Sequence, residues 1–203
     1  MQYSSSLAAM AMAIGVATAL PAAEPQAPAP LTVGIPTYYY FKTQVQAAQP
    51  PQYNNLYLTA YHTGAGLSDA TFSRGAPLPA HRGTFVGTSL SWFAPTPNNV
   101  TFGVQYSLAN TNYASWSPVT INGGAGTPGL GLKDGKLVVL DNSSFDSWLG
   151  KSFCDWFHSG PQLFTLIKYG VPVIPSSCAK VDLVAEVAPP VPTGTLPLPI
   201  DTE

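Results

Sequence analysis

The sequence predicts an all-β protein. The expected form is an antiparallel β-sandwich, or a flattened barrel, of about eight to ten strands with one disulfide and disordered proline-rich ends. Three observations carry this. Apolar residues alternate with polar ones at period two through most of the central chain. Gly, Pro and Asn clusters interrupt the pattern at short intervals. No 3.6-residue period runs for a full helical window outside the N-terminal apolar stretch, which argues against a parallel α/β sheet.

The chain begins with an apolar run at residues 7–20, mostly Ala, Met, Ile and Val. It is too short to span a ~30 Å hydrocarbon core, and Ala17-Thr18-Ala19 fits a small-x-small cleavage site. Residues 1–19 therefore read as a secretory signal peptide. Residues 20–37 follow as an Ala/Pro-rich linker, and 188–203 form a matching Pro-rich tail. Proline cannot donate to a sheet ladder, so neither end suits a central strand. Residues 38–187 are the predicted β-domain, and a chain of that length buries roughly 68–70% of its unfolded surface.

Within the domain, strands are expected at 38–46, 56–61, 84–93, 100–108, 117–121, 129–133, 136–140, 152–157, 162–168 and 180–187. The last puts Val181, Leu183, Ala185 and Val187 on one face, with Lys180, Asp182 and Glu186 on the other. Asp134-Gly135 between two apolar runs is a hairpin signal, because that pair tolerates positive φ. A turn of helix is the reading at 144–149.

Composition excludes several function classes. Charged residues make up 9% of the chain and the formal net charge is −2. Glu24, Asp201 and Glu203 lie outside the domain, leaving seven acids against eight cations within it. Such a near-neutral surface does not suit nucleic acid or an anionic membrane. No other stretch is long and apolar enough for a membrane helix, so the mature protein is expected outside the cell without a membrane span.

Export gives the two cysteines a context. Cys154 and Cys178 are expected to form a disulfide, closing a loop of about 25 residues worth roughly 3–4 kcal/mol in the chain-entropy picture. Asn99-Val100-Thr101 and Asn142-Ser143-Ser144 are glycosylation sequons, so Asn99 and Asn142 are candidate glycan sites.

Catalytic patterns are missing from the sequence. It has no HExxH, no GxSxG and no phosphate loop, and DNSSFDSW lacks calcium-loop spacing. His62, His81 and His158 do not form a metal motif. No catalytic residue, cofactor or metal is therefore assigned. Tyr57 and Tyr61 fall on the strand face opposite Leu56 and Leu58, where exposed rings could take a sugar. Asp69 follows the Gly64-Ala65-Gly66 turn, close in sequence to His62, and the two could orient a ligand or a water. Tyr57, Tyr61, His62 and Asp69 are the candidate ligand-binding residues.

FKTQV (41–45), NNLYLTA (54–60), YHTGAGLSDATF (61–72), WSPVTIN (116–122), CDW (154–156) and GPQLF (160–164) occur in that order. In this the chain resembles a family of small secreted proteins of filamentous fungi. That family is catalogued as a domain of unknown function, and some members carry an IgE-binding, allergen-like label. The resemblance covers roughly residues 38–185. It implies an all-β secreted module and brings no catalytic residues. The expectation is a secreted, non-catalytic binding or surface-interaction module whose partner is carbohydrate, a cell-wall protein or a host protein. The alternative is an extracellular polymer hydrolase with its site near His62 and Asp69.

Overall fold

A computed structural model describes residues 37–46, 51–93, 100–109, 115–140, 142–151, 160–168, 174 and 177–189. These residues carry thirteen strands in one continuous sheet. In chain order they are β1 (Tyr38–Val45), β2 (Tyr57–Gly64), β3 (Leu67–Ser73), β4 (Gly83–Val86), β5 (Ser89–Trp92), β6 (Phe102–Gln105) and β7 (Trp116–Pro118). β8 (Thr120–Gly123), β9 (Leu130–Lys133), β10 (Lys136–Val139), β11 (Phe145–Lys151), β12 (Gln162–Ile167) and β13 (Cys178–Ala188) complete the set. A single 3-10 turn at Pro51–Tyr53 precedes β2.

The sheet closes on itself. β1, β4, β5, β6, β8, β3, β12, β11 and β13 form a nine-strand ring, and β13 returns to pair with β1 from Tyr38↔Ala188 to Val45↔Val181. Of the two expected forms, sandwich or flattened barrel, the barrel is the one found. Two open sheets leave edges, whereas here the first and last strands satisfy each other. β2 lies across the ring as a bridge, joined to β1 at Lys42↔Tyr57 and to β3 along its length.

Alternation explains why these residues sit as they do. On β13, Ala179, Val181 and Leu183 are fully buried, while Lys180, Asp182 and Glu186 face out. On β1, Phe41 and Thr43 face in, against Lys42 and Gln44 outside. The interior is filled by Phe41, Leu58, Leu90, Val104, Ile121, Leu137, Leu163 and Leu183, among others. A smaller cluster of Leu149, Phe164 and Leu166, with Trp116 and Ile174, covers the other face of β11 and β12.

Several strand expectations are revised. The 84–93 stretch is a hairpin, β4–β5, turning at Gly87 with φ 61°. Residues 145–149 belong to strand β11 and not to a helical turn, and Ser144 lies in the turn before it. A register shift between Phe145 and Ser147 puts Phe145 and Trp148 in one core, a spacing of three that imitates a helix. β3 has no counterpart among the expected strands, because its inward residues begin with the small Ser68 and Ala70. The Asp134-Gly135 hairpin is present, with φ of 51° and 74° and Lys133↔Lys136 closing the turn. The strand expected at 152–157 lies outside the described residues.

Candidate functional site

Register, not sequence proximity, assembles a polar outward-facing row. Tyr61 on β2 pairs with Asp69 on β3, Asp69 pairs with Thr120 on β8, and Thr120 pairs with Gln105 on β6. Directly opposed residues in a sheet point to the same face, so these four form one line across four strands. At about 4.8 Å per strand the line runs roughly 14 Å. Tyr61 is 44% exposed and the other three are half-buried.

Asn122, two residues along β8, sits at the centre of the hydrogen bonding. Its Oδ1 accepts the Ser68 backbone N–H at 2.9 Å, which ties β8 to β3. Its Nδ2 donates to Gln105 Oε1 at 3.2 Å and to Thr120 Oγ1 at 3.0 Å. The Gln105 amide is thereby oriented and its Nε2 is left toward the Ala125 carbonyl at 3.5 Å. Beside the row, Leu67 is 52% exposed.

The four expected ligand-binding residues are not brought together. Tyr61 and Asp69 share the row. His62 is opposed to Ser68, so its side chain leaves the other face of the hairpin from Asp69. The expected His62–Asp69 site is corrected accordingly: the two were close in sequence, but their parity in a hairpin separates them. Tyr57 has Tyr61's parity but lies about 13 Å along the strand. Its hydroxyl donates to Glu186 Oε2 at 2.9 Å, and the Lys42 ammonium binds the other Glu186 oxygen. The Lys42 charge also lies 5.8 Å over the Tyr57 ring.

The ionisable groups of this neighbouring cluster stabilise one another. The Lys42 hydrogen bond holds the Glu186 carboxyl below the usual carboxylate range against the opposing pull of burial, with Tyr57 adding to it. Lys42 is raised, first by that same hydrogen bond. Burial pushes the Tyr57 phenol up, and its bond to Glu186 adds to this. Such a mutually satisfied triad ties β2 to β13 and offers little to a ligand.

Thr120, Gln105 and Asn122 were missed in the sequence because nothing local marks them. Asn99 and Cys154 lie outside the described residues. Asn142 is exposed, and its Oδ1 accepts the Ser144 N–H at 2.9 Å in a tight turn. Cys178 is buried at the start of β13. Among the described residues no group of three or more His, Cys, Asp or Glu could hold a metal ion, and no helix is long and apolar enough to cross a membrane.

The class defined by these features is a closed antiparallel β-barrel with a polar, aromatic-edged row on its outer wall and no second carboxyl in that row. The chain belongs to the DUF7907 family, a domain of unknown function, which matches residues 36–187. No curated protein and no solved structure matches it.

Proposed function

We propose that this chain is an exported, non-catalytic binding module that holds carbohydrate on the outer wall of its barrel, along Tyr61, Asp69, Thr120 and Gln105. The observation that carries the reading is the alignment of these four side chains on one face of four adjacent strands. A sugar presents C–H faces and a rim of hydroxyls that both donate and accept. An exposed phenol ring can take the face, while a carboxylate, a hydroxyl and an amide take the rim. The near-neutral charge of the domain favours a neutral polymer over a charged one. The polymer-hydrolase reading loses support because His62 and Asp69 point to opposite faces and no second carboxyl joins the row.

Secretion, the filamentous-fungal origin suggested by the resemblance, glycans on Asn99 and Asn142, and a Cys154–Cys178 bridge are parts of the same proposal. The bridge is tested by thiol titration of the mature protein, native and unfolded. No reactive thiol in either form supports it, and two thiols on unfolding overturn it.

Binding is tested by retention of the mature protein on insoluble wall polysaccharides. Tyr61→Ala should weaken retention about tenfold, the equivalent of one lost stacking contact of roughly 1–1.5 kcal/mol. Tyr57→Phe should leave it unchanged. Absence of retention of the wild-type protein on every polymer would overturn the reading.

A further inference from the structure

The sheet branches at β1. Lys42 pairs with Tyr57 of β2, and continuing that antiparallel register would set Tyr39 opposite Ala60. Tyr39 pairs instead with Gly83 of β4. From this point β2 has lost its neighbour on one side, and the Ala60 N–H on that edge needs another acceptor. His81 supplies it: its Nδ1 accepts the Ala60 N–H at 3.1 Å. The ring comes from the residue two before Gly83, in a turn held by the His81 N–H bonded to the Leu78 carbonyl at 2.9 Å. A side chain thus occupies the gap where one strand leaves and another arrives.

We propose that His81 is a proton-operated latch on the β2–β3 hairpin: neutral, it caps Ala60 and holds β2 in the wall; protonated, it becomes a donor facing a donor and releases that edge. An imidazole accepting through Nδ1 carries its proton on Nε2, and protonation of Nδ1 removes its only lone pair. Burial favours the neutral ring. The charged and titratable groups around it do not offset this. Arg74 and Arg82 lie on its own loop, and Arg82 is turned to Tyr38 and Phe93. Lys42 on β1 pairs with Glu186 of β13, which Tyr57 also binds. β4 has no charged residue, and the hairpin contributes His62 and Asp69 beyond Ala60.

The sign follows. The latch is closed above the unfolded-state value near pH 6.5 and opens as the pH falls through the lower value of the folded ring. Asp146 and Glu186 are held below the ordinary carboxylate range, so they stay ionised across this window. The latch concerns the hairpin that carries Tyr61 and Asp69, but it stands whatever that face binds.

Amide hydrogen exchange of the full mature chain tests it. Protection at Ala60, corrected for intrinsic exchange, should fall about tenfold between pH 7 and pH 5 while β11–β13 amides keep theirs. In His81→Gln the side-chain carbonyl accepts without titrating, and protection should be flat with pH. His62→Gln should keep the wild-type profile. An NMR titration of wild type gives a second readout: a His81 value at or above 6.5 would overturn the latch, as would pH-independent protection at Ala60. Loss of sugar retention with an intact exchange profile would tell against the binding reading alone.

Discussion

At the residue scale, two positions hold side chains to unusually tight terms. Arg82 is 3% exposed, and no carboxylate pairs with it among the described residues. Its guanidinium lies 5.6 Å from the Tyr38 ring and 5.3 Å from the Phe93 ring, and Nη1 donates to the Pro189 carbonyl at 2.5 Å. Among the described residues, its Nε and the Trp92 indole N–H have no partner. A buried cation stays acceptable here because two aromatic faces and one carbonyl replace water. A lysine cannot stack as a plane between two rings. Arg82→Lys should therefore lose about 1–2 kcal/mol in urea unfolding, and an unchanged midpoint would show the stacking to be incidental. The second position is Gly103, where a β-carbon would come within 2.1 Å of the Gly126 nitrogen. The obstacle is backbone, which cannot rotate away. Gly103→Ala should cost at least about 1–3 kcal/mol, measured by the same unfolding curve.

At the element scale, β13 absorbs much of the domain's scarce charge. Lys180 pairs with Asp146 of β11 at 2.6 Å, Asp182 with Lys136 of β10 at 2.7 Å, and Glu186 with Lys42 of β1. Each ion pair joins the closing strand to a different neighbour. A one-residue slip would bring its charges inward and its aliphatics out, so the pairs act mainly on register. Their energies are small, about 0.2–1 kcal/mol each at such exposure. For Asp146, burial acts to raise the carboxyl, but the hydrogen bond and charge of Lys180, the Ser147 hydroxyl and Lys168 outweigh it and lower it. Both Asp146 and Glu186 titrate lower when folded, so their stabilisation is complete above the unfolded carboxylate range. It is lost as the pH falls below about 4. Asp146→Asn with Glu186→Gln should flatten urea stability between pH 5 and pH 3, and an unaltered acid slope would assign acid lability elsewhere.

Reading these elements from sequence succeeded where the physics is local. Asp134-Gly135 specifies its own turn, and the alternation of β13 is visible from Ala179 to Glu186, where the inward positions are aliphatic and the outward ones, Val184 apart, are charged; beyond it Val187, of inward parity, is 74% exposed. It failed where a distant partner decides. The bulge in β11 shifts the alternation by one, and β3 buries residues too small to register as a core stripe. Half of the polar row was legible, since Tyr61 and Asp69 flank one hairpin. Thr120 and Gln105 join it only through pairings of β8 with β3 and β6, which no local pattern encodes.

At the scale of the whole molecule, closure depends on the two ends of the domain. β1 and β13 share eight consecutive register pairs between residues 136 to 150 positions apart. That pairing cannot form until a very long loop has closed, and its entropy must be met before the contacts return anything. Folding in milliseconds to seconds is expected, with the β1–β13 seam limiting. The geometry provides its own test. Tyr38 and Ala188 are a directly opposed pair, so their backbones lie about 5 Å apart and a short turn can join them. Opening the chain between Gly75 and Ala76, in an exposed stretch, then yields a circular permutant in which β13 and β1 form a local hairpin. With the turn placed beyond Thr37 and Pro189, whose carbonyls accept from Thr84 and Arg82, the contacts described for the barrel are kept. Stability should then stay within about 1 kcal/mol, while stopped-flow refolding should be several-fold faster. Equal rates would mean that another pairing, such as β3 with β8 and β12, sets the barrier. A large loss of stability would mean that the segments beyond Thr37 and Pro189 contribute to the barrel they flank.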